Sequence, residues 1–274
     1  MNRNISNTSY KIGYALSGGF IKGFAHLGIM QALLEHGIKP DIISGVSAGS
    51  LAGVFVADGN EPYQVVDFFK DLNFQDLTDM VLPKVGFFDL QEFIDFLRTH
   101  LKAKRLEQLR TPLIVTATDL DHGKSVHFTQ GEIAERIAAS CCMPVMFTPI
   151  QIDGVNYVDG GVFMNLPVST IRKQCEKVIG VNVSPLEAEE YKMNIVSIAL
   201  RSYHFMFRAN TMPEREICDL LIEVNNLYGY NNTELEKAQE IFDVGYRTTN
   251  EQLNLLKEQP GAIWNARGAN NILA

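Results

Sequence analysis

The chain has 274 residues, of which 46% are hydrophobic and 20% are charged, so it can bury a large core and is not of the disordered class. Its formal net charge of −8 argues against binding nucleic acid or docking broadly on anionic lipid, although a local basic patch stays open. The four cysteines form no CxxC pair, and we expect them to be buried, reduced thiols.

The N-terminal segment is polar and lacks the apolar core of a signal peptide. No apolar run approaches the roughly 18 residues that a membrane-spanning helix needs. We therefore expect a soluble, cytoplasmic protein.

Strand-like and helix-like segments alternate along the chain. The predicted elements are, in chain order, strand 11–16, helix 23–36, strand 41–44, helix 48–57, helices at 64–69 and 87–97, strand 112–118 with a hairpin to 125–128, helix 131–140, two strands around Asp153–Gly154, strands 177–183 and 219–224, and helix 233–257. This alternation predicts an α/β fold with helices on both faces of a mostly parallel sheet. No Pro/Ser-rich linker interrupts it, so we expect one domain over 10–258 with short extensions at 1–9 and 259–274, and a loose tail after Pro260.

Residues 45–49 read GVSAG, a GxSxG pattern that places Ser47 between a predicted strand and a predicted helix. This is the arrangement of a nucleophile elbow, in which a strained turn exposes the serine Oγ and flanking glycines relieve crowding. The oxygen then lies at a helix N-terminus, which favours a developing negative charge. A tight turn with an incidental serine is the alternative.

Residues 16–23 read LSGGFIKG and lie between the first strand and the first helix. The first N–H groups of a helix have no partner within the helix, and glycines let a substrate oxygen approach them closely. This arrangement would suit an oxyanion hole. A phosphate-binding loop or a plain turn would use the same features, but the spacing fits neither a Walker A motif nor GxGxxG.

Asp159 ends a predicted strand and is followed by Gly160 and Gly161. Its carboxylate is therefore expected at the carboxyl ends of the strands, where ligand-binding and active sites of open α/β sheets lie. A simple Asp-Gly turn is the alternative, and Asn165 is predicted to cap a helix that starts near residue 166. Of the six histidines only His204 follows Asp159, in an amphipathic helical stretch typical of a surface or packing residue. These observations favour a Ser–Asp dyad over a triad that contains histidine.

Three ordered blocks, LSGGFIKG, GVSAG and VDGG, together with ASCCMPVMFTPI at 139–150, resemble the patatin-like phospholipase family of bacterial type. The resemblance implies a three-layer α/β/α lipid acyl hydrolase without metal or cofactor. It assigns Ser47 as the nucleophile, Asp159 as the base, and the N–H groups of Gly18, Gly19 and Phe20 as the oxyanion hole. The supporting motif positions are Lys22, Gly23, Gly45, Gly49, Gly160 and Gly161.

One departure from the family pattern is Phe20, which stands where the family has a third glycine. Phenylalanine tolerates positive φ poorly, so we expect either a differently shaped oxyanion hole or a phenyl ring that lines the acyl site.

The substrate class implied by the resemblance is a phospholipid, a lysophospholipid or an acylglycerol. The Phe- and Leu-rich segments 64–69 and 87–97 fit ordinary core packing or an apolar face that touches acyl chains or a membrane surface. Two further classes stay open: a carboxylesterase or thioesterase for small substrates, and a catalytically silent lipid-binding protein. The sequence does not determine the oligomeric state.

Overall fold

The computed structural model describes residues 10–80, 86–184, 193–225, 227, 230 and 234–258. The predicted extensions at 1–9 and 259–274, with the tail after Pro260, lie outside the described residues. The strands are β1 (Tyr10–Leu16), β2 (Ile42–Val46), β3 (Asp79–Met80), β4 (Phe88–Asp89), β5 (Leu113–Asp119), β6 (Lys124–Phe128), β7 (Ile150–Ile152), β8 (Val155–Asp159), β9 (Cys175–Asn182) and β10 (Leu220–Glu223). The α-helices are α1 (Phe24–Glu35), α2 (Ala48–Ala57), α3 (Pro62–Asp67), α4 (Gln91–His100), α5 (Ile133–Cys141), α6 (Ser169–Arg172), α7 (Ile195–Glu216) and α8 (Ala238–Glu258).

The main sheet has the strand order β10-β9-β1-β2-β5-β8-β7. The first five of these strands run parallel to one another. Strand β8 is antiparallel to β5, β7 is antiparallel to β8, and β6 adds an antiparallel pairing with β5. Because β1 and β2 are adjacent and parallel, the loops that follow them leave the same edge of the sheet. The predicted α/β class with a mostly parallel sheet is confirmed.

Alternation along the strands divides the core between the two faces of the sheet. In β1, Tyr14 and Leu16 belong to the large cluster under α1, whereas Ala15 belongs to a smaller cluster that includes Ile171 of α6. Helix α1 is buried almost all round, since it lies between the sheet and helices α3 and α8. The result is a layer of helices on each face of the sheet.

Helices α1 and α8 pack backbone to backbone through two glycines. A Cβ on Gly28 would lie 2.0 Å from the carbonyl oxygen of Phe242, and one on Gly245 would lie 2.3 Å from the carbonyl oxygen of Ala25. Any larger residue at either position would force the helices apart.

The structure differs from the sequence predictions in a few elements. The helix predicted at 87–97 begins only at Gln91, because residues 88–89 pair with residues 79–80 in a small antiparallel ribbon. Asn165 does not cap a helix: α6 begins at Ser169, with Val168 as its N-cap. The last helix begins at Ala238 after a 3-10 turn over 235–237. No helix in the described part of the chain is both long enough and apolar enough to cross a membrane.

Candidate active site

Ser47 lies in a strained turn between β2 and α2, with φ 50° and ψ −127°. Two neighbouring hydroxyls hold this conformation: the Ser47 N–H donates to Ser140 Oγ at 2.8 Å, and Ser50 Oγ donates to the Ser47 carbonyl at 2.7 Å. The Ser47 side chain makes no capping bond to its own helix, so its hydroxyl stays available. Such over-determined strain in a non-glycine residue is typical of a functional position.

Gly49, on the first turn of α2, lets the elbow pack directly on the end of β1. A Cβ on Gly49 would lie 2.3 Å from the Leu16 carbonyl oxygen. The predicted support positions Gly23, Gly45 and Gly160 are equally close to their neighbours, with the nearest atoms at 2.7, 2.6 and 2.3 Å from an added Cβ. These glycines therefore allow the loops that carry the candidate site to approach one another.

The strand register brings Asp159 to Ser47. In β5, Thr116 pairs with Val46 of β2, and the next residue, Ala117, pairs with Asp159 at the end of β8. Ser47 and Asp159 are therefore attached to the sheet at successive positions of one strand. Ser140 strengthens this junction, since its Oγ donates to the Thr116 carbonyl at 2.6 Å.

Asp159 is 1% exposed and accepts a hydrogen bond from the Gly161 N–H at 2.7 Å. Burial raises the pKa of the carboxyl to about 6, against the lowering effect of hydrogen bonds from the Ser47 hydroxyl and the Gly161 N–H. A carboxylate with a raised pKa is a better proton acceptor than a solvated one. The structure thus places the Ser47 hydroxyl beside a buried carboxyl whose pKa is raised.

The histidines have other partners. Five of them form hydrogen bonds within the described part of the chain: His26 with Ser17, His36 with Asn250, His100 with Phe96, His122 with Asp119, and His127 with Thr116. His204 makes a ring contact with Phe207 on α7. His26 is fully buried, and burial lowers its pKa to about 4, so it is neutral at pH 7.

The glycine-rich segment forms a 3-10 turn over Phe20–Gly23 that precedes α1. The Gly18 N–H donates to the Asn165 carbonyl at 3.2 Å. Among the described residues, the N–H groups of Gly19 and Phe20 have no acceptor. Of the three predicted donors, two therefore remain available to a bound oxyanion.

Phe20 adopts φ 52°, the left-handed conformation that is costly for a side chain of this size. Its ring lines a cavity beside Ser47. Phe20 therefore adopts the backbone conformation that favours glycine, and its side chain adds an apolar ring to the wall of this cavity.

Sequence reasoning missed Asn165 as a member of the site. Asn165 is 1% exposed; its carbonyl receives the Gly18 N–H, and its own N–H donates to Asn210 Oδ1 at 2.7 Å. Its side-chain oxygen has no partner, and a Cβ on Gly18 would lie 2.5 Å from it and 3.2 Å from Ser47 Cβ. Asn165 therefore connects the glycine-rich segment to the loop after Asp159; the run DGGVFMN was the available signal.

An apolar cavity of about 140 Å³ opens beside Ser47 and is called the acyl cavity below. Its walls include Phe20, Phe24, Leu51, Phe69, Phe93 and Phe147. A smaller cavity of about 40 Å³ lies behind it and shares Phe24, Leu51 and Phe69. The segments 64–69 and 87–97 thus supply both core packing, with Phe69 and Phe93 buried, and cavity wall.

Cys141 also lines the acyl cavity, next to the serine. Burial and the negative charge of Asp159 raise the pKa of this thiol, so it is protonated and a poor nucleophile at neutral pH. In the described part of the chain, no three His, Cys, Asp or Glu residues are grouped closely enough to hold a metal ion.

The fold is an α/β/α sandwich that carries a serine in a strained strand-to-helix turn and a buried aspartate at a neighbouring strand end. The model of the family described as Patatin-like phospholipase matches residues 14–171. The chain therefore belongs to the patatin-like phospholipase family, which confirms the resemblance seen in its motifs.

The relatives include a Mycobacterium bovis protein described as an uncharacterized NTE family protein, which is 31% identical over 66% of this chain and 51% of its own length. Lysophospholipase NTE1 of Saccharomyces cerevisiae is 28% identical over 86% of this chain but 14% of its own length. The chain thus spans about half the length, or less, of these relatives.

The crystal structure of VipD from Legionella pneumophila has a similar fold, with a TM-score of 0.52 at 16% identity over 90% of this chain and 67% of that one. At this identity the likeness concerns the fold alone.

Proposed function

We propose that the protein is a serine acyl hydrolase that cleaves carboxylic esters of lipids through a Ser47–Asp159 dyad. The observation that carries the proposal is the contact between the strained Ser47 and the buried carboxylate of Asp159, whose pKa is raised to about 6. Family membership and the NTE1 lysophospholipase among the relatives support the lipid substrate.

In this mechanism Ser47 Oγ attacks the ester carbonyl while Asp159 accepts the hydroxyl proton. The N–H groups of Gly19 and Phe20 stabilise the oxyanion, and the leaving alcohol takes the proton from Asp159. Water then attacks the acyl-enzyme while Asp159 accepts its proton. Asp159 returns that proton to Ser47 Oγ as the bond to the acyl group breaks and the carboxylic acid leaves. The hydrogen bond from the Gly161 N–H holds the carboxylate in place throughout.

The acyl chain would occupy the acyl cavity. A dry apolar cavity of about 150 Å³ accommodates benzene, so this one, of about 140 Å³, has room for about six carbon atoms. Longer chains would project from its mouth or displace the wall toward the smaller cavity. This size also suits the second candidate function, a carboxylesterase or thioesterase for small substrates.

The test is covalent labelling with a fluorophosphonate probe, which marks an activated serine. Wild type is expected to label, Ser47→Ala to lose the label, and Ser202→Ala, which changes an exposed serine of α7, to label as wild type does. Equal labelling of wild type and Ser47→Ala would refute the dyad, and absence of label from both would favour the silent lipid-binding class.

Asp159→Asn tests the base. It should lower ester hydrolysis by about a hundredfold or more, since general-base catalysis contributes about that much. A melting curve at pH 8 serves as the fold control. Because burial raises the pKa of Asp159 from 3.8 to about 6, ionisation of this carboxyl lowers the stability of the fold progressively between about pH 4 and 6. At pH 8 the full loss applies to wild type and not to the variant, so the variant should melt no lower than wild type. Retained hydrolysis would remove Asp159 from the mechanism.

Comparing hydrolysis of short monomeric esters with that of micellar lipids separates the two candidate functions. A lipid hydrolase should gain activity once the substrate forms micelles. A rate that follows only the monomer concentration would favour the small-substrate esterase.

A further inference from the structure

A third cavity, of about 210 Å³, lies where β9 and β10 end and is bounded on one side by α7. It is called the polar cavity here, because its lining includes Asn182, Ser184, Arg208, Thr211, Arg215 and Glu223. It shares no lining residue with the acyl cavity. Strand ends at this edge of a parallel sheet are where ligands bind in such folds.

The polar cavity adjoins both loops of the candidate active site. A Cβ on Gly19 would lie 3.6 Å from Cβ of Ser184, so the glycine-rich segment packs against the cavity wall. On the other side, α7 carries Arg208 into the cavity lining and also bonds the loop after Asp159, since Asn210 Nδ2 donates to the Gly161 carbonyl at 2.8 Å. The polar cavity therefore borders both the glycine-rich segment and the loop after Asp159.

The charges in the polar cavity do not cancel. Both carboxylate oxygens of Glu223 are engaged, one by Arg215 Nη2 at 2.6 Å and the other by Asn182 Nδ2 at 2.8 Å. Arg208 has no ion pair or hydrogen bond to any residue that the structure describes. The exposed guanidinium of Arg208 is thus a cation of this lining without a partner among the described residues, in a chain whose net charge is −8. Planar, bidentate guanidinium groups match phosphate oxygens.

We propose that the polar cavity is a phosphate subsite in which Arg208 supplies the main charge and Arg215 and Ser184 line the wall. This inference rests on the proposed function and narrows it: the preferred substrate carries a phosphate in its alcohol part, as phospholipids and lysophospholipids do, and acylglycerols do not. The acyl cavity takes one end of the molecule and the polar cavity the other.

Binding is tested without turnover, in the Ser47→Ala background, by calorimetric titration with glycerol 3-phosphate and with inorganic phosphate. Arg208→Gln should weaken binding of glycerol 3-phosphate by about tenfold or more, since it removes a charge-assisted bond. Glu223→Gln should strengthen it, because both arginines then face the ligand without a carboxylate. Arg247→Gln, an exposed arginine of α8 that lines neither cavity, is the matched control and should leave it unchanged. Equal affinity in all four proteins, or no binding, overturns the subsite.

Hydrolysis distinguishes a head group from a free phosphate ion. Wild type should cleave lysophosphatidic acid with a kcat/KM about tenfold above that for the monoacylglycerol of the same chain, and Arg208→Gln should abolish this preference mainly through KM. Phosphate binding without that preference would overturn the head-group assignment and leave a site for the free ion. Failure to cleave either ester would contradict the proposed function, while the titrations would still decide the subsite.

Discussion

At the scale of single residues, two opposing influences set the pKa of Asp159. Its burial disfavours the ionised form, and the hydrogen bonds from Ser47 and Gly161 favour it. Burial dominates, so the carboxyl titrates near pH 6 and gains basicity over a solvated aspartate, while remaining ionised at neutral pH. The carboxylate proposed as the base is therefore available to accept a proton at physiological pH.

The pH profile follows from this balance. Only ionised Asp159 can accept the serine proton, so kcat/KM should fall about tenfold per pH unit below about pH 6 and reach a plateau above it. Stopped assays on a soluble ester between pH 4.5 and 8.5 would measure this, with melting curves over the same range to separate titration from unfolding. A limb centred near pH 4, the value of a solvated aspartate, would contradict the raised pKa of Asp159.

At the scale of secondary-structure elements, α2 begins directly after Ser47, the proposed nucleophile, and its residue Leu51 forms part of the wall of the acyl cavity. Leu51 lies one turn after Ser47, and its N–H donates to the Ser47 carbonyl at 3.1 Å. Its partly buried side chain separates the acyl cavity from the smaller cavity behind it. This position should therefore control the length of acyl chain that the protein accepts.

Opposite substitutions at Leu51 test that role. Leu51→Ala joins the two cavities and should move the preferred acyl chain to longer esters by about two to four carbons, since it removes three carbons from the wall. Leu51→Phe narrows the space and should move the preference to shorter esters. Rates on a series of p-nitrophenyl esters would report both shifts. Leu255→Ala, at an exposed leucine that lines neither cavity, should keep the wild-type profile.

At the scale of the whole molecule, helix α8 packs against helix α1 on one side of the sheet. The glycine contacts at Gly28 and Gly245 allow the two helix backbones to touch. Because α1 follows directly on the glycine-rich segment, this distant packing also supports the loop that carries the two free N–H groups.

Gly28→Ala should therefore destabilise the protein by about 2–4 kcal/mol, since its Cβ would lie 2.0 Å from a backbone oxygen and the helices cannot separate without loss of packing. Gly53→Ala, at a glycine of α2 whose nearest neighbour is a side-chain methyl at 3.1 Å, is the matched control. There the better helix propensity of alanine, about 1 kcal/mol, offsets the contact. Urea denaturation would measure both, and equal effects would show that the α1–α8 contact can yield.

The local sequence alone determined the elbow and the glycine-rich segment. Both are short motifs on adjacent parallel strands, and GVSAG and LSGGFIKG specify their turns through glycines and through the change from strand to helix. The order of strands and helices likewise follows from hydrophobic period, which is a local property, so most element ends agree with prediction to within one or two residues.

Only the tertiary structure decided the rest, because it depends on residues that are distant in sequence. The pairing of Ala117 with Asp159 brings this carboxyl to the strand edge beside Ser47, and no local pattern specifies that register. The same holds for the role of Asn165, for the left-handed Phe20, and for the polar cavity, whose charges come from β10 and α7. Burial depends on how several elements pack together. The pKa of Asp159 is therefore raised only after those elements have packed around it.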